Sequence, residues 1–139
     1  MRLEKFLFCE SVRQEASGQV TLVGLFPTDE IIVGDNPPPF VLPTLAFTAV
    51  LADMTGIGNL RVQCEVKFGD DVIQQTEPMS AVRPQPLLSH HAINVTFAPF
   101  TCPDVGEYVF KLRIDAGETT SFSRRLKLIR PPRFPSMRH

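Results

Sequence analysis

The chain has 139 residues, of which 43% are apolar and 21% charged, and its formal net charge is −1. That length fits one domain and lets roughly two-thirds of the unfolded surface be buried, so no disulfide or metal staple is required. No apolar run approaches the roughly eighteen residues of a membrane span, and thirteen prolines count against long helices, whose interiors need the amide that proline lacks.

The opening "MRLEKFLFCESVRQE" carries an apolar stretch only from Phe6 to Cys9, with acids on both sides. That is not a secretion leader, and the expected location is the cytoplasm. "KFLFCESV", "QVTLVGLF" and "LAFTAVLAD" are strand candidates, each expected to be buried on both sides or nearly so. "EASGQ" closes a hairpin between the first two. "GDNPPPFVLP" is rich in proline and must be an extended crossing. "NLRVQCEVKF" then alternates with period two: Leu60, Val62, Cys64, Val66 and Phe68 share one face, and Arg61, Gln63, Glu65 and Lys67 the other. This is the pattern of a half-buried antiparallel strand.

"GDD" supplies the turn before Val72, and "EPMSAVRPQPLLSHH" is a second long connection. Both long connections suit a chain passing from one sheet to another, and loops of this kind are where binding surfaces sit. "HAINVTFA" alternates through Ile93, Val95 and Phe97, and "EYVFKLRID" through Tyr108, Phe110, Leu112 and Ile114. After the turn "DAGET", "SFSRRLKLI" sends Phe122, Leu126 and Leu128 inward, with Arg124 the discordant position. No segment carries a helical stripe. The expected fold is all-β, an antiparallel β-sandwich of about eight strands with little or no helix. It spans residues 1–129 and is followed by a Pro/Arg-rich tail at 130–139.

"CPDVGEYVFKLRIDAGE" resembles the corner leading into a late strand of an immunoglobulin sandwich, which points to an immunoglobulin-like or related Greek-key arrangement. In such a corner the Tyr108 hydroxyl bonds backbone a few residues upstream. Gly106 permits a positive φ and Asp104 closes a local turn. The plainer alternative is an ordinary glycine turn before a strand that starts with tyrosine. Phe110 stands where an immunoglobulin domain places a disulfide cysteine. Cys9, Cys64 and Cys102 are odd in number and widely spaced, which suits buried free thiols; a Cys9–Cys102 disulfide stays open.

The stretch "FCESVRQEASGQVTLVGLFPTDEIIV" resembles a family of small bacterial proteins of unknown function. The likeness rests on Cys9, Glu10, Arg13, Glu15, Gly18, Leu22, Gly24 and Phe26. It implies no activity, substrate or cofactor. It draws attention to Arg13, between Glu10 and Glu15, which either forms a structural salt bridge or contacts a partner through its planar fork.

No constellation carries obvious chemistry. Ser89-His90-His91 places a hydroxyl beside two imidazoles, but neighbours on an extended segment point to opposite faces, and a zinc site needs more ligands than these supply. The turn carboxylates show no calcium-loop spacing, the glycine stretches lack a phosphate-loop pattern, and Asn94-Val95-Thr96 is a glycosylation triplet placed in a strand. No metal or cofactor is expected.

From Arg124 onward the chain carries six basic residues and no acid, whereas residues 1–123 carry eight basic and fifteen acidic ones, a net of −7. Nucleic acid is a poor match for that acidic body. Arg130, Arg133 and Phe134 in the tail are candidate partner contacts, an arginine–aromatic mix that favours protein surfaces. The expected role is a non-enzymatic protein-interaction or assembly module, self-associating or bound to another protein. The alternatives are a small-ligand-binding sandwich, with a pocket between the two sheets or beneath "EPMSAVRPQPLLSHH", and a hydrolase-type enzyme using His90 or His91.

Overall fold

The computed structural model describes residues 1–17, 19–83 and 87–132. Among these there is no helix, and 65% of them lie in strands. Two sheets account for most of it. The first is four-stranded, in the order β2 (Val20–Leu25), β1 (Arg2–Gln14), β5 (Leu45–Ala52), β9 (His91–Phe97), and antiparallel throughout.

The second sheet runs β3 (Glu30–Ile32), β12 (Thr119–Ile129), β11 (Gly106–Asp115), β6 (Asn59–Phe68), β7 (Asp71–Gln75), with β8 (Met79–Val82) also paired to β6. A two-stranded ribbon joins β4 (Phe40–Leu42) to β10 (Phe100–Cys102).

Twelve strands therefore replace the expected eight. The additional four are β3, β4, β8 and β10, each of three or four residues, too short for alternation to register. The expected all-antiparallel pairing also needs correction, because β3 lies parallel to β12 with Ile31 opposite Leu128. Both long connections do pass between sheets: residues 33–44 lead from β3 to β5, and residues 83–90 from β8 to β9.

The inner faces meet on aromatic rings. Phe110 of β11 packs against Phe8 at 4.9 Å between centroids, Phe97 at 5.9 Å and Phe47 at 6.2 Å, all from the four-stranded sheet. Phe100 of the ribbon stacks on Phe110 at 5.7 Å and covers one end of the core. Phe110 is fully buried and acts as the hub that links the sheets. Cys9, Cys64 and Cys102 are all free and buried. Burial raises each thiol pKa, to about 12 at Cys64 and about 11 at Cys102, so these groups behave as small hydrophobes.

The alternating strands face as their period demands. Leu60, Val62, Cys64, Val66, Tyr108, Leu112, Ile114, Leu126 and Leu128 are buried, and β5 is buried almost throughout. β2 departs from expectation. It is an edge strand, and Val23 and Leu25 are 43% and 48% exposed. Arg124 lies opposite Phe110 on the inner side of β12, yet remains half exposed because it reaches Asp29 Oδ2 at 2.5 Å.

Candidate functional sites: a flat uncharged face and a groove between open edges

The Asp104–Tyr108 corner fixes the start of β11. The buried Tyr108 hydroxyl donates to the Asp104 carbonyl at 2.5 Å, and the Val105 amide donates to Asp104 Oδ1 at 2.8 Å. Gly106 has φ +138, and a Cβ there would stand 3.0 Å from the Phe68 ring. Burial pushes the Tyr108 phenol up to about 12. The tyrosine hydroxyl thus bonds backbone four residues upstream, and the groups of the corner are consumed by structure.

Because Phe8 and Phe47 point inward, their strand neighbours form the outer face of the four-stranded sheet. Register places Leu7 beside Thr48 and Asn94, and Cys9 beside Leu25, Ala46 and Thr96. Between Lys5 at one end and Arg13 at the other, this face of β1 and its partners carries no charge. Its one side-chain polar pair is Thr48 Oγ1 donating to Asn94 Oδ1 at 2.6 Å. Cys9, Ala46 and Thr48 are themselves buried and Leu7 and Asn94 half-buried, so the exposed part of this face belongs to Val23, Leu25 and Thr96.

Arg13 stands exposed at the rim, opposite Thr21. Among the described residues it forms no ion pair with Glu10 or Glu15 within 4.0 Å. Glu15 instead accepts from Thr21 Oγ1 at 3.1 Å. Glu10 folds over Gly24, whose φ is +67 and whose missing Cβ would lie 2.7 Å from the Glu10 side chain.

Arg130 is occupied within the chain. Its guanidinium lies 5.5 Å above the Phe40 ring and donates to the carbonyls of Gly34 and Asn36 at 3.4 Å. Arg133 and Phe134 lie outside the described residues.

The histidines are closer to acid–base geometry than the sequence implied. His90 Nε2 is 2.6 Å from Glu4 Oε2, and Ser89 Oγ is 2.8 Å from His90 Nδ1. These three groups are joined in a line, but Ser89 is exposed and the His90 side chain is 53% exposed, so water competes at every link. His91 is half-buried, and its pKa is lowered by burial and then by the nearby Arg83 cation. No group of three or more metal-ligating side chains occurs among the described residues.

A groove of about 770 Å³ is lined by Met79, Ser80, Ala81, Arg83, Leu88 and His91 of "EPMSAVRPQPLLSHH", where the ligand-binding alternative expected its pocket; what sequence reading missed is Arg83 in its wall. Met79, Ser80 and Ala81 of β8 and His91 to Asn94 of β9 wall it, and Gln14, Gln19 and Val20 of the β1–β2 hairpin contribute to its lining. Arg83 is 4% exposed. It donates to the Met54, Ile57 and Leu88 carbonyls, the Ile57 bond at 2.7 Å. No carboxylate lies within 4.0 Å of it among the described residues. One signal was present in the sequence: Pro78 to Pro103 contains no acid, and Arg83 is its only arginine or lysine.

Residues 4–127 match a family described as a family of unknown function, DUF6941. The chain belongs to that family. The match runs from β1 into β12 and so takes in both sheets, the flat face and the groove. No curated protein matches the chain. Among the described residues no helix is long and apolar enough to cross a membrane.

Proposed function

We propose that this DUF6941 chain is a non-enzymatic protein-interaction or assembly module, and that the outer face of its four-stranded sheet is the contact surface. One observation carries the reading: that face is flat and uncharged from Lys5 to Arg13, while the opposite outer face is laced with charge. Solvated sheet faces are normally polar, and uncharged, apolar surface rimmed by polar groups favours association. The exposed Val23 and Leu25 extend the patch onto the β2 edge, and an open strand edge is itself a template for pairing. Arg13 supplies a rim cation for orientation.

The test compares the two faces in one experiment. A photo-crosslinking residue at Val23 should yield adducts, either with a second copy or with a cellular protein, while the same residue at Ser123 on the charged face should not. Equal capture at both positions, or none at Val23, overturns the assignment. The second reading, a ligand-binding sandwich, is favoured by the groove, whose volume falls in the range of ligand sites.

A further inference from the structure

The groove lies between two strands that each have a single partner: β9 pairs only with β5, and β8 only with β6. Their outward backbone groups are therefore free to bond another strand among the described residues. Proteins usually defend such edges with charge, proline or a bulge. Neither "HAINVTF" nor "MSAV" contains a lysine, an arginine, an acid or a proline. The other edges of the six-stranded sheet do carry acids, Glu30 in β3 and Asp71 in β7. The undefended pair flanks the groove.

Its electrostatics point to one kind of occupant. None of the described lining residues is acidic, although residues 1–123 carry a net of −7. The buried Arg83 is its fixed charge. Three carbonyls engage the guanidinium, and no carboxylate of the described residues lies within 4.0 Å to neutralise it. Carbonyl dipoles do not cancel a full charge, and a cation in a low-dielectric wall projects its field into the adjoining cleft. Val20, Met79, Ala81, Leu88 and Ile93 give the groove apolar surface for alternate side chains.

We infer that the groove receives an extended acidic peptide segment of a protein partner. The segment adds a strand to the open edge of β9, and the side chains it turns into the groove are apolar against Met79, Ala81 and Ile93 and acidic where they meet Arg83, which lines the same groove. Strand addition draws affinity from main-chain bonds and specificity from the alternating side chains. The groove meets the flat face at Asn94, which belongs to both, but strand addition uses the edge of β9 and not the face, so the inference stands whether or not that face mediates assembly.

The probe is a fluorescein-labelled ten-residue peptide alternating valine with threonine, with one central valine replaced by glutamate, read by fluorescence anisotropy against a counterpart with lysine at that position. The glutamate peptide should bind at least about tenfold more tightly, with affinity falling as salt rises. N-methylating alternate amides on its pairing edge should abolish binding. Arg83→Gln should weaken binding, but that variant removes three internal bonds and endangers the fold. Ser80→Glu, at an exposed lining position, adds an acid to the groove without touching the core. It should leave the melting temperature unchanged and cost about tenfold in affinity. Equal binding of both peptides, binding unaffected by N-methylation, or no effect of Ser80→Glu overturns the inference. So does binding of free glutarate in the groove when no peptide binds, which makes it a small-carboxylate site.

Discussion

The two sheets share one core but present opposite outer surfaces. On the six-stranded sheet, register sets Lys111 beside Glu65, Asp115 beside Arg61 and Glu107 beside Lys127, and Arg125 Nε reaches Glu107 Oε1 at 3.2 Å. Charges of both signs alternate there, which suits a solvated face. On the four-stranded sheet the corresponding positions are Leu7, Cys9, Ala46, Thr48 and Asn94. Polarity inside the sandwich cannot explain the difference, since both inner faces are equally apolar. The contrast reflects what lies outside each sheet: water against one, and by our proposal a protein against the other.

The strongest way to break this comparison is to remove what both faces depend on. Phe110→Ala takes out the hub touching Phe8, Phe47, Phe97 and Phe100. It should cost about 3–5 kcal/mol of unfolding free energy in a denaturant titration. Next comes the contrast itself. The pair Val23→Glu and Leu25→Glu should weaken association at least about tenfold by sedimentation equilibrium or partner titration. Lys111→Glu with Arg113→Glu, on the charged face, should leave it unchanged.

Tyr108→Phe removes the bond to the Asp104 carbonyl and should lower stability by about 1 kcal/mol, with association intact. The thiols sharpen the comparison chemically. Cys9 sits beneath the outer side chains of the flat face, whereas Cys64 lies between the sheets. Under native alkylation Cys9 should react before Cys64, and partner binding should slow it. A reversed order by mass spectrometry counts against this placement.

The smallest effects follow from titration. Cys64, Cys102 and Tyr108 all have pKa values raised by burial. In the unfolded chain they ionise nearer 9 to 10, so they bind fewer protons there than in the fold. Stability is thus fully present below about pH 9 and declines as pH rises toward 12. His91 has the opposite sign. Its lowered pKa means that the unfolded chain takes up the proton first, so stability falls as pH drops below 6.5. His91→Gln should flatten that acid-side slope in melting experiments.

Much of the fold was legible because alternation is a direct record of one wet and one dry face. β6 and β11 are clear for that reason, since Arg61, Gln63, Lys111 and Arg113 contrast with the residues between them. The same signal vanishes where the outer face is not polar. β2 and β5 read alike, as strands buried on both sides, yet β5 lies between β1 and β9 while β2 is an edge. Position in a sheet is a long-range property that no local window contains. The groove was legible only in part: its place along "EPMSAVRPQPLLSHH" was expected of a ligand-binding sandwich, but its full lining was not. Ser80, Arg83, His91 and Gln14 are scattered along the chain, and only the crossing of β8 and β9 between sheets assembles them.

The parallel pairing of β3 with β12 joins Glu30 to Lys127, and β6 depends on β11 for its central partner. A nascent polypeptide emerging from the ribosome can pair β1, β2 and β5 early, but must hold β3 without its partner until β12 has been synthesised. Fragments cut before Gly106 would leave β6 without its central neighbour, so this architecture offers no halfway product that a cell could use, and its uncharged strands would need guarding throughout translation.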